Sequence, residues 1–385
     1  MFNRHCRIPD KLSCLLLGPR QTGKSTLVRG ILPKNAWCVD LLEHDTFLRY
    51  AREPALYRRE AETKIAAGCR TLFVDEVQKI PALLDEVHGI LGRHRVRFIL
   101  TGSSARKLRR GGANLLAGRA ATRRLHPLVA AELGDAFDLD RILRLGSLPA
   151  VAMASDSDAR DVLKSYAETY LREEVQAEAL VRNLGGFSRF LDVAAAQSGD
   201  ILNYSAVARD AGLATRTVQE YFQILEDTLL GVRLEPWARS PRARLVAHPR
   251  FYFFDTGVLN ALCRRLGAEV DPGLRGRLFE HFVVLDCARL LDYGDGETRL
   301  YFWRTNHGAE VDLLFERHGR LRLAVEIKSK SRIAGADISG LRAFSEQHPD
   351  VPLAVACLAP EPYDMSGVRI LPYRQLLDEI PMLGG

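Results

Sequence analysis

Paired cysteines are what this chain most plainly lacks. Its seven cysteines (Cys6, Cys14, Cys38, Cys69, Cys263, Cys287 and Cys357) are scattered, and none forms a C-x-x-C pair. That spacing offers neither a zinc knuckle nor a disulfide framework, so reduced thiols and a cytoplasmic setting are expected. No apolar run approaches the ~20 residues that a membrane-spanning helix needs, and no membrane partner is expected. The apolar stretch Leu12–Leu17 is too short for a secretory signal and runs straight into a glycine loop, so it reads as a strand. There is no internal repeat and no low-complexity tract.

Acidic residues are also missing where they would matter. Between Glu86 and Glu132 there is no Asp or Glu, while Arg93, Arg95, Arg97, Arg106, Lys107, Arg109, Arg110, Arg119, Arg123 and Arg124 fall in that window. The formal net charge of +6 is therefore uneven: residues 1–150 hold 26 Lys and Arg against 15 Asp and Glu, a net of +11, and the remainder has a net of −5. Such a block suits a polyanion, nucleotide or nucleic acid; a solvated basic face is the equal alternative.

What is present is an ordinary globular composition, 47% hydrophobic and 26% charged over 385 residues, long enough for two or three domains. In residues 1–135, apolar runs at Ser13–Leu17, Ala36–Leu41, Thr71–Val74 and Arg97–Thr101 alternate with helical periodicity. That pattern predicts an α/β core with a parallel sheet and covering helices. Residues 136–200 read as helices only. Residues 201–266 hold two short helices and then apolar strands, with a loop or wing over Leu234–Pro249. After a boundary at Gly267–Gly273, residues 267–385 return to helix, strand, strand, helix, strand, a second α/β unit.

The run Gly18-Pro19-Arg20-Gln21-Thr22-Gly23-Lys24-Ser25 satisfies G-x-x-x-x-G-K-[ST], between an apolar strand and a helix starting near Thr26. The glycines let backbone N–H groups curl around phosphate oxygens, and the helix N-terminus adds positive potential. Lys24 is expected on the β- and γ-phosphates of ATP, and Ser25 on Mg²⁺. A second element supports this one. Thr71–Val74 ends in Asp75-Glu76: Asp75 would complete the magnesium shell, and Glu76 would polarise the attacking water as general base. Two adjacent acids are costly without a cation. The second acid favours ATP hydrolysis over phosphoryl transfer to a small molecule. Thr101 and Ser103, at the end of the next strand, are placed to touch the γ-phosphate or the water.

The runs GPRQTGKST, LFVDEVQKIP, RFILTGSS and LAGR resemble the bacterial and archaeal AAA-type ATPases that carry a C-terminal domain of unknown function. FYFFDTGVLNAL and LYFWRTNHGAEVDLLF resemble that second domain. The resemblance spans nearly the whole chain. It implies an AAA-like core over 1–135, ATP with Mg²⁺, and a homo-oligomer in which Arg119, in the LAGR run, completes a neighbour's site. A structural arginine is the alternative. The lead before Gly18 is shorter than the resemblance implies, as if a first helix were missing or the start misplaced.

Two regions remain. Ser205–Asp210 and Thr215–Leu230 read as helices joined at Gly212, with Ser205 and Thr215 as N-caps. The small, turn and apolar pattern of Ala208, Gly212 and Val218 is that of a helix-turn-helix, followed by strands as in a winged helix. Arg216, Thr217 and Gln219 would open a recognition helix; a protein-packing helix is the stronger alternative. Farther on, strands Glu310–Phe315 and Leu321–Ile327 flank Arg317-His318-Gly319-Arg320, a hairpin. With an odd-length loop, Asp312 and Glu326 face each other about 5 Å apart at Cβ, and Lys328 shares their face. A two-residue turn would put the acids on opposite faces. This D…E-x-K pattern is that of the restriction-endonuclease-like, PD-(D/E)xK fold: two acids hold a divalent metal and the lysine steadies water or phosphate. Glu280 resembles the helix acid that joins them. An inherited fold that no longer cuts is the alternative.

The leading expectation is thus an ATPase whose nucleotide state drives a winged-helix (201–266) and nuclease-like (267–385) module on nucleic acid, DNA more than RNA, through a helical linker (136–200). A switch or scaffold for protein partners is the rival; a signalling ATPase with a sensor module is a third reading.

Overall fold

The computed structural model describes residues 2–103, 116, 118–171, 184–238 and 248–383. They divide into two compact units, one built on Met1–Pro127 with Gln223–Leu230, the other on the remainder from Leu128.

The first unit is a five-stranded sheet, all parallel, in the order β2-β3-β4-β1-β5. Its strands are β1 (Ser13–Leu17), β2 (Trp37–Asp40), β3 (Thr71–Asp75), β4 (Arg97–Gly102) and β5 (Ala120–Arg124). Helices α1 (Lys24–Ile31), α2 (His44–Arg52), α3 (Pro54–Ala66) and α4 (Leu83–Arg93) lie between them in sequence. A parallel strand covered on both faces must be apolar throughout. Leu15, Leu16, Leu72, Phe73, Val74, Phe98, Ile99 and Leu100 are accordingly all buried, each stabilising the fold by roughly 1.5–3 kcal/mol. The four expected strands form to within a residue or so. β5 is an addition: it pairs with β1 by backbone alone and leaves Thr122, Arg123 and Arg124 exposed at the sheet edge. In this order, the loops after β1, β3 and β4 all leave the same C-terminal edge, where open α/β sheets bind ligands.

The second unit begins with short helices and is dominated by an eight-stranded mixed sheet, order β12-β13-β11-β10-β9-β8-β6-β7. These are β6 (Gly231–Pro236), β7 (Arg250–Phe253), β8 (Thr298–Arg304), β9 (Glu310–Arg317), β10 (Arg320–Lys328), β11 (Leu353–Cys357), β12 (Tyr363–Met365) and β13 (Val368–Pro372). The expected helix pair is α5 (Tyr204–Ala211) and α6 (Thr215–Asp227). The cap of α5 is Asn203, not Ser205: its side chain accepts the Ala206 N–H at 3.0 Å, so the helix starts one residue earlier than expected. Gly212 ends α5 at φ 65°, a conformation suited to glycine. The strands that follow are joined to the larger sheet. β6 pairs with β7 and, through Glu235 and Pro236, with β8, so blocks read separately as 201–266 and 267–385 share one sheet. The long helix α7 (Pro272–Tyr293) packs against it, capped by Asp271. Buried Arg289 of α7 donates to the carbonyls of Phe254 at 2.6 Å and Leu128 at 3.2 Å, tying the helix to distant parts of the unit.

Candidate phosphate site and acidic cluster

At the end of β1, Gly18 sits where a Cβ would lie 2.3 Å from the Leu125 carbonyl oxygen, so only glycine fits. The loop then turns through Gln21 at φ 63° and Gly23 at φ 88°, the latter being the residue before α1. Thr22 is buried and donates to the Pro19 carbonyl at 2.9 Å, bracing the loop from inside. Pro19 is buried, Arg20 half-buried and Thr26 exposed. Lys24 is buried, and its Nζ donates to the carbonyls of Gly18 at 2.8 Å and Pro19 at 2.9 Å. The ammonium is thus held in the mouth of the loop by two weak acceptors, which phosphate oxygens can outcompete. Arg4, which sequence reasoning passed over, donates to the carbonyls of Thr22 and His126 and fastens the N-terminal lead to this loop.

Across from the loop, Asp75 is almost fully buried at the end of β3. Its Oδ1 accepts Ser25 Oγ at 2.9 Å and also Thr101 Oγ1. A hydroxyl and a carboxylate so paired, beside a loop of backbone donors, are the donor set a magnesium nucleotide requires. The residues fit the group. Glu76 follows with φ 57° and ψ 44°, a left-handed conformation uncommon for a residue with a side chain. Such strain persists only where the surroundings impose it, and it gathers at functional sites. Here the surroundings are Thr101, whose Oγ1 accepts the Glu76 N–H at 3.1 Å, and Gln78, whose Nε2 donates to Glu76 Oε2. Gln78 Nε2 also donates to Ser103 Oγ at 3.0 Å. The fold therefore brings Lys24, Ser25, Asp75, Glu76, Thr101 and Ser103 together, and adds Gln78. The sequence signal for Gln78 is slight: it is a polar residue two positions after Glu76, buried between Val77 and the exposed Lys79.

Arg119 lies apart from this group. It is exposed and its Nη1 donates to the His88 carbonyl, in the middle of α4, at 3.0 Å. It precedes Ala120, which pairs with Ser13 at the start of β1, whereas the phosphate loop follows the other end. Five residues at ~3.3 Å each separate the two levels by about 16 Å. Ser104, Arg106, Lys107, Arg109, Arg110 and the Ala117 of the LAGR run lie outside the described residues, as does most of the Leu234–Pro249 loop.

In the second unit the hairpin differs from expectation in a way that restores its outcome. Arg317 pairs directly with Arg320, so the turn is the two residues His318 and Gly319, both with positive φ. Alone, that would put Asp312 and Glu326 on opposite faces. A bulge between Leu321 and Leu323 shifts the register by one, pairing Val325 with Leu313. Continuing that register sets Glu326 beside Asp312. Both are buried, and Asp312 Oδ2 accepts the Ile327 N–H at 2.9 Å. Lys328 Nζ donates to Glu326 Oε1 at 2.5 Å.

The cation among these acids is one the sequence did not reveal. Arg250 opens β7, is buried, and reaches Glu310 at 3.1 Å, Glu280 at 3.3 Å and Asp312 at 3.6 Å. Its guanidinium lies over the Phe302 ring, and Tyr252 donates its hydroxyl to Glu280 at 2.8 Å. Burial, then the neighbouring Asp312 charge, pushes Glu280 up to about 7 and Glu326 up to about 8. Glu326 Oε2 is buried without a hydrogen-bond partner. Among the described residues, no group of three or more His, Cys, Asp or Glu side chains is arranged to hold a metal ion. Glu280, Asp312 and Glu326 share a neighbourhood, but a guanidinium stands among them.

Residues 10–134 match the AAA domain family, residues 136–269 a domain of unknown function (DUF8612), and residues 275–376 another (DUF4143). An uncharacterized protein of Mycobacterium tuberculosis is 31% identical over 80% of this chain and 68% of its own length, and one from Mycobacterium bovis aligns equally well. An uncharacterized protein of Haemophilus influenzae is 20% identical over 69% of this chain and 72% of its own. The ORC1 protein of Aeropyrum pernix, solved in complex with DNA, covers 66% of this chain and 86% of its own at 12% identity, with a TM-score of 0.31. That likeness is too slight to carry any argument. No helix among the described residues is long and apolar enough to cross a membrane.

Proposed function

This chain belongs to the same family as the two mycobacterial proteins, its AAA domain joined to C-terminal domains of unknown function, and we propose that it is a magnesium-dependent ATPase. The observation that carries the proposal is the strained Glu76, held between Thr101 and Gln78 and facing a loop closed by Lys24. Lys24 and the loop N–H groups bind the β- and γ-phosphates. Ser25 and Asp75 hold Mg²⁺, which neutralises charge on the phosphate oxygens when bound. Glu76 accepts the proton of the attacking water, and Ser103 orients that water or the γ-phosphate. Lys24→Ala is expected to abolish nucleotide binding. Glu76→Gln should bind as the parent does and lose at least ~100-fold in turnover. Nucleotide affinity and phosphate release measure both; parental turnover by Glu76→Gln removes Glu76 as the base.

The C-terminal module supports two readings. The first is a restriction-endonuclease-like module acting on nucleic acid, DNA before RNA. It is supported by Asp312, Glu326 and Lys328 on one face of the β9–β10 pair, with Glu280 on α7 nearby. The helix pair α5–α6, with Arg216 and Gln219 exposed, would read the nucleic acid as a winged helix. The second is an ATP-driven switch or scaffold for protein partners, with an inactive nuclease-like module. Arg250 favours it, because a guanidinium already balances the carboxylates that would hold metal. ATPase rates with and without single-stranded DNA, duplex DNA and RNA, together with an assay for cleavage, separate the two.

A further inference from the structure

Gln78 is 5% exposed and sits two residues beyond Glu76, on the short turn Val77–Lys79. Its amide nitrogen spends both hydrogens inside the site, one on the Glu76 carboxylate and one on Ser103 Oγ. The orientation of the amide is fixed by chemistry. A carboxylate only accepts, so the nitrogen must face Glu76. The consequence is that Gln78 Oε1 is buried with no partner. An orphaned buried carbonyl works against stability. The side chain is therefore poorly arranged for holding the fold together and well arranged for holding Glu76. Gly102 makes the arrangement sterically feasible, since a Cβ there would lie 2.9 Å from Gln78 Oε1. Thr101 meanwhile fixes the Glu76 backbone N–H. Backbone and carboxylate of one strained residue are thus fixed separately, the first by Thr101 of β4 and the second by Gln78 of the turn after β3, whose amide also bonds Ser103 just beyond β4.

We propose that Gln78 is the positioning residue for Glu76, setting the direction of its carboxylate and linking it to Ser103. This rests on the reading of Glu76 as general base. When Ser103 engages the γ-phosphate or the water, the same amide carries that contact to the base. Assembly of the hydrolytic geometry is then tied to the presence of the terminal phosphate.

The test uses the full chain with Mg²⁺ and ATP, and reads nucleotide Kd, KM and kcat separately. Gln78→Met fills nearly the same volume without hydrogen bonds. A purely packing role therefore predicts parental kcat, whereas the positioning role predicts parental Kd with kcat reduced roughly 10- to 100-fold. Combining Gln78→Met with Glu76→Gln should cost no more than Glu76→Gln alone, because residues acting as a unit are non-additive. Should Gln78→Met fail to fold, Gln78→Asn supplies the same comparison, being too short to reach both partners. Parental kcat in a folded Gln78 variant, or additive losses in the double variant, overturns the proposal. The two readings fail separately. If Glu76→Gln turns over at the parental rate, the base assignment falls and the positioning role with it. If Glu76→Gln is inactive while Gln78→Met is fully active, only the positioning role falls.

Discussion

His281 shows how a single buried side chain sets a pH limit on the fold. It lies on α7, fully buried, with Nε2 2.6 Å from the Phe253 carbonyl oxygen, and the Tyr252 ring packs edge-on against it. Burial first, and the nearby Arg289 charge, lower its pKa from 6.5 to about 4, against the pull of the carbonyl. A base whose folded pKa is depressed stabilises the fold fully above its unfolded value, and that stability is lost as pH falls toward the folded value. The window is therefore 6.5 down to about 4, and the loss approaches ~3 kcal/mol at its lower end. Glu280 and Glu326, whose pKa values are raised, pull the opposite way over the same pH range, so the His281 contribution is read as the difference between the parent and a variant that lacks the imidazole. His281→Gln, which keeps a donor for Phe253 but does not titrate, should be less stable than the parent at pH 7, and the gap in urea midpoint should narrow as pH falls through that window. Parallel pH profiles for the two proteins would sink the assignment. At this same scale, the residues of the phosphate loop were legible because their geometry is contiguous in sequence: Gly18 to Ser25 is one turn, read as one string. Arg250 was not, because its partners Glu280 and Glu310 lie 30 and 60 residues away. Nothing local to FYFF announces them.

Among the elements, legibility followed burial. β1, β3 and β4 are apolar on both faces and could be read from hydrophobic runs. β5 could not, because an edge strand needs only a backbone partner, and Ala120–Arg124 carries two arginines. The hairpin teaches the same lesson. Register was inferred from loop length, but the bulge at Leu321–Leu323 moved it by one, and sequence gives no sign of a bulge. The β6–β8 pairing likewise joins strands more than sixty residues apart. That pairing matters for the acidic cluster, because it brings β7 and Arg250 into the sheet that carries Asp312 and Glu326. A fragment starting near residue 270 would lack both, so the protein should be tested whole. Removing one partner from a buried ion cluster costs ~3–5 kcal/mol, since the remaining charges stay uncompensated. Arg250→Met should therefore lower the melting temperature strongly. If the carboxylates can hold a divalent ion, millimolar Mn²⁺ should restore more of that loss in Arg250→Met than it adds to the parent. The gain should vanish when Asp312→Asn is added. No preferential response to Mn²⁺ in Arg250→Met would favour the scaffold reading of the module.

For the molecule as a whole, the open question is whether one chain holds a complete ATPase site. Arg119 lies about 16 Å along the sheet from its own phosphate loop, by strand length alone, and an arginine side chain cannot span that. Its guanidinium instead donates to the His88 carbonyl in the middle of α4, an exposed hydrogen bond of modest worth to stability. Two roles are thus distinguishable. If Arg119 only serves α4, Arg119→Ala loses a little stability and keeps its turnover. If it completes the site of a second copy, Arg119→Ala binds ATP normally and hydrolyses it at least ~10-fold more slowly. Mixing the slow Arg119→Ala with Glu76→Gln then restores part of the activity, above the sum of the two variants alone. The first variant contributes an intact Glu76 and the second an intact Arg119, so some interfaces hold both. The restored rate should rise with total protein concentration, as assembly does. Full activity from a demonstrated monomer at micromolar concentration, or no recovery on mixing, confines Arg119 to its helix and leaves hydrolysis to Glu76, Thr101 and Ser103 within one chain.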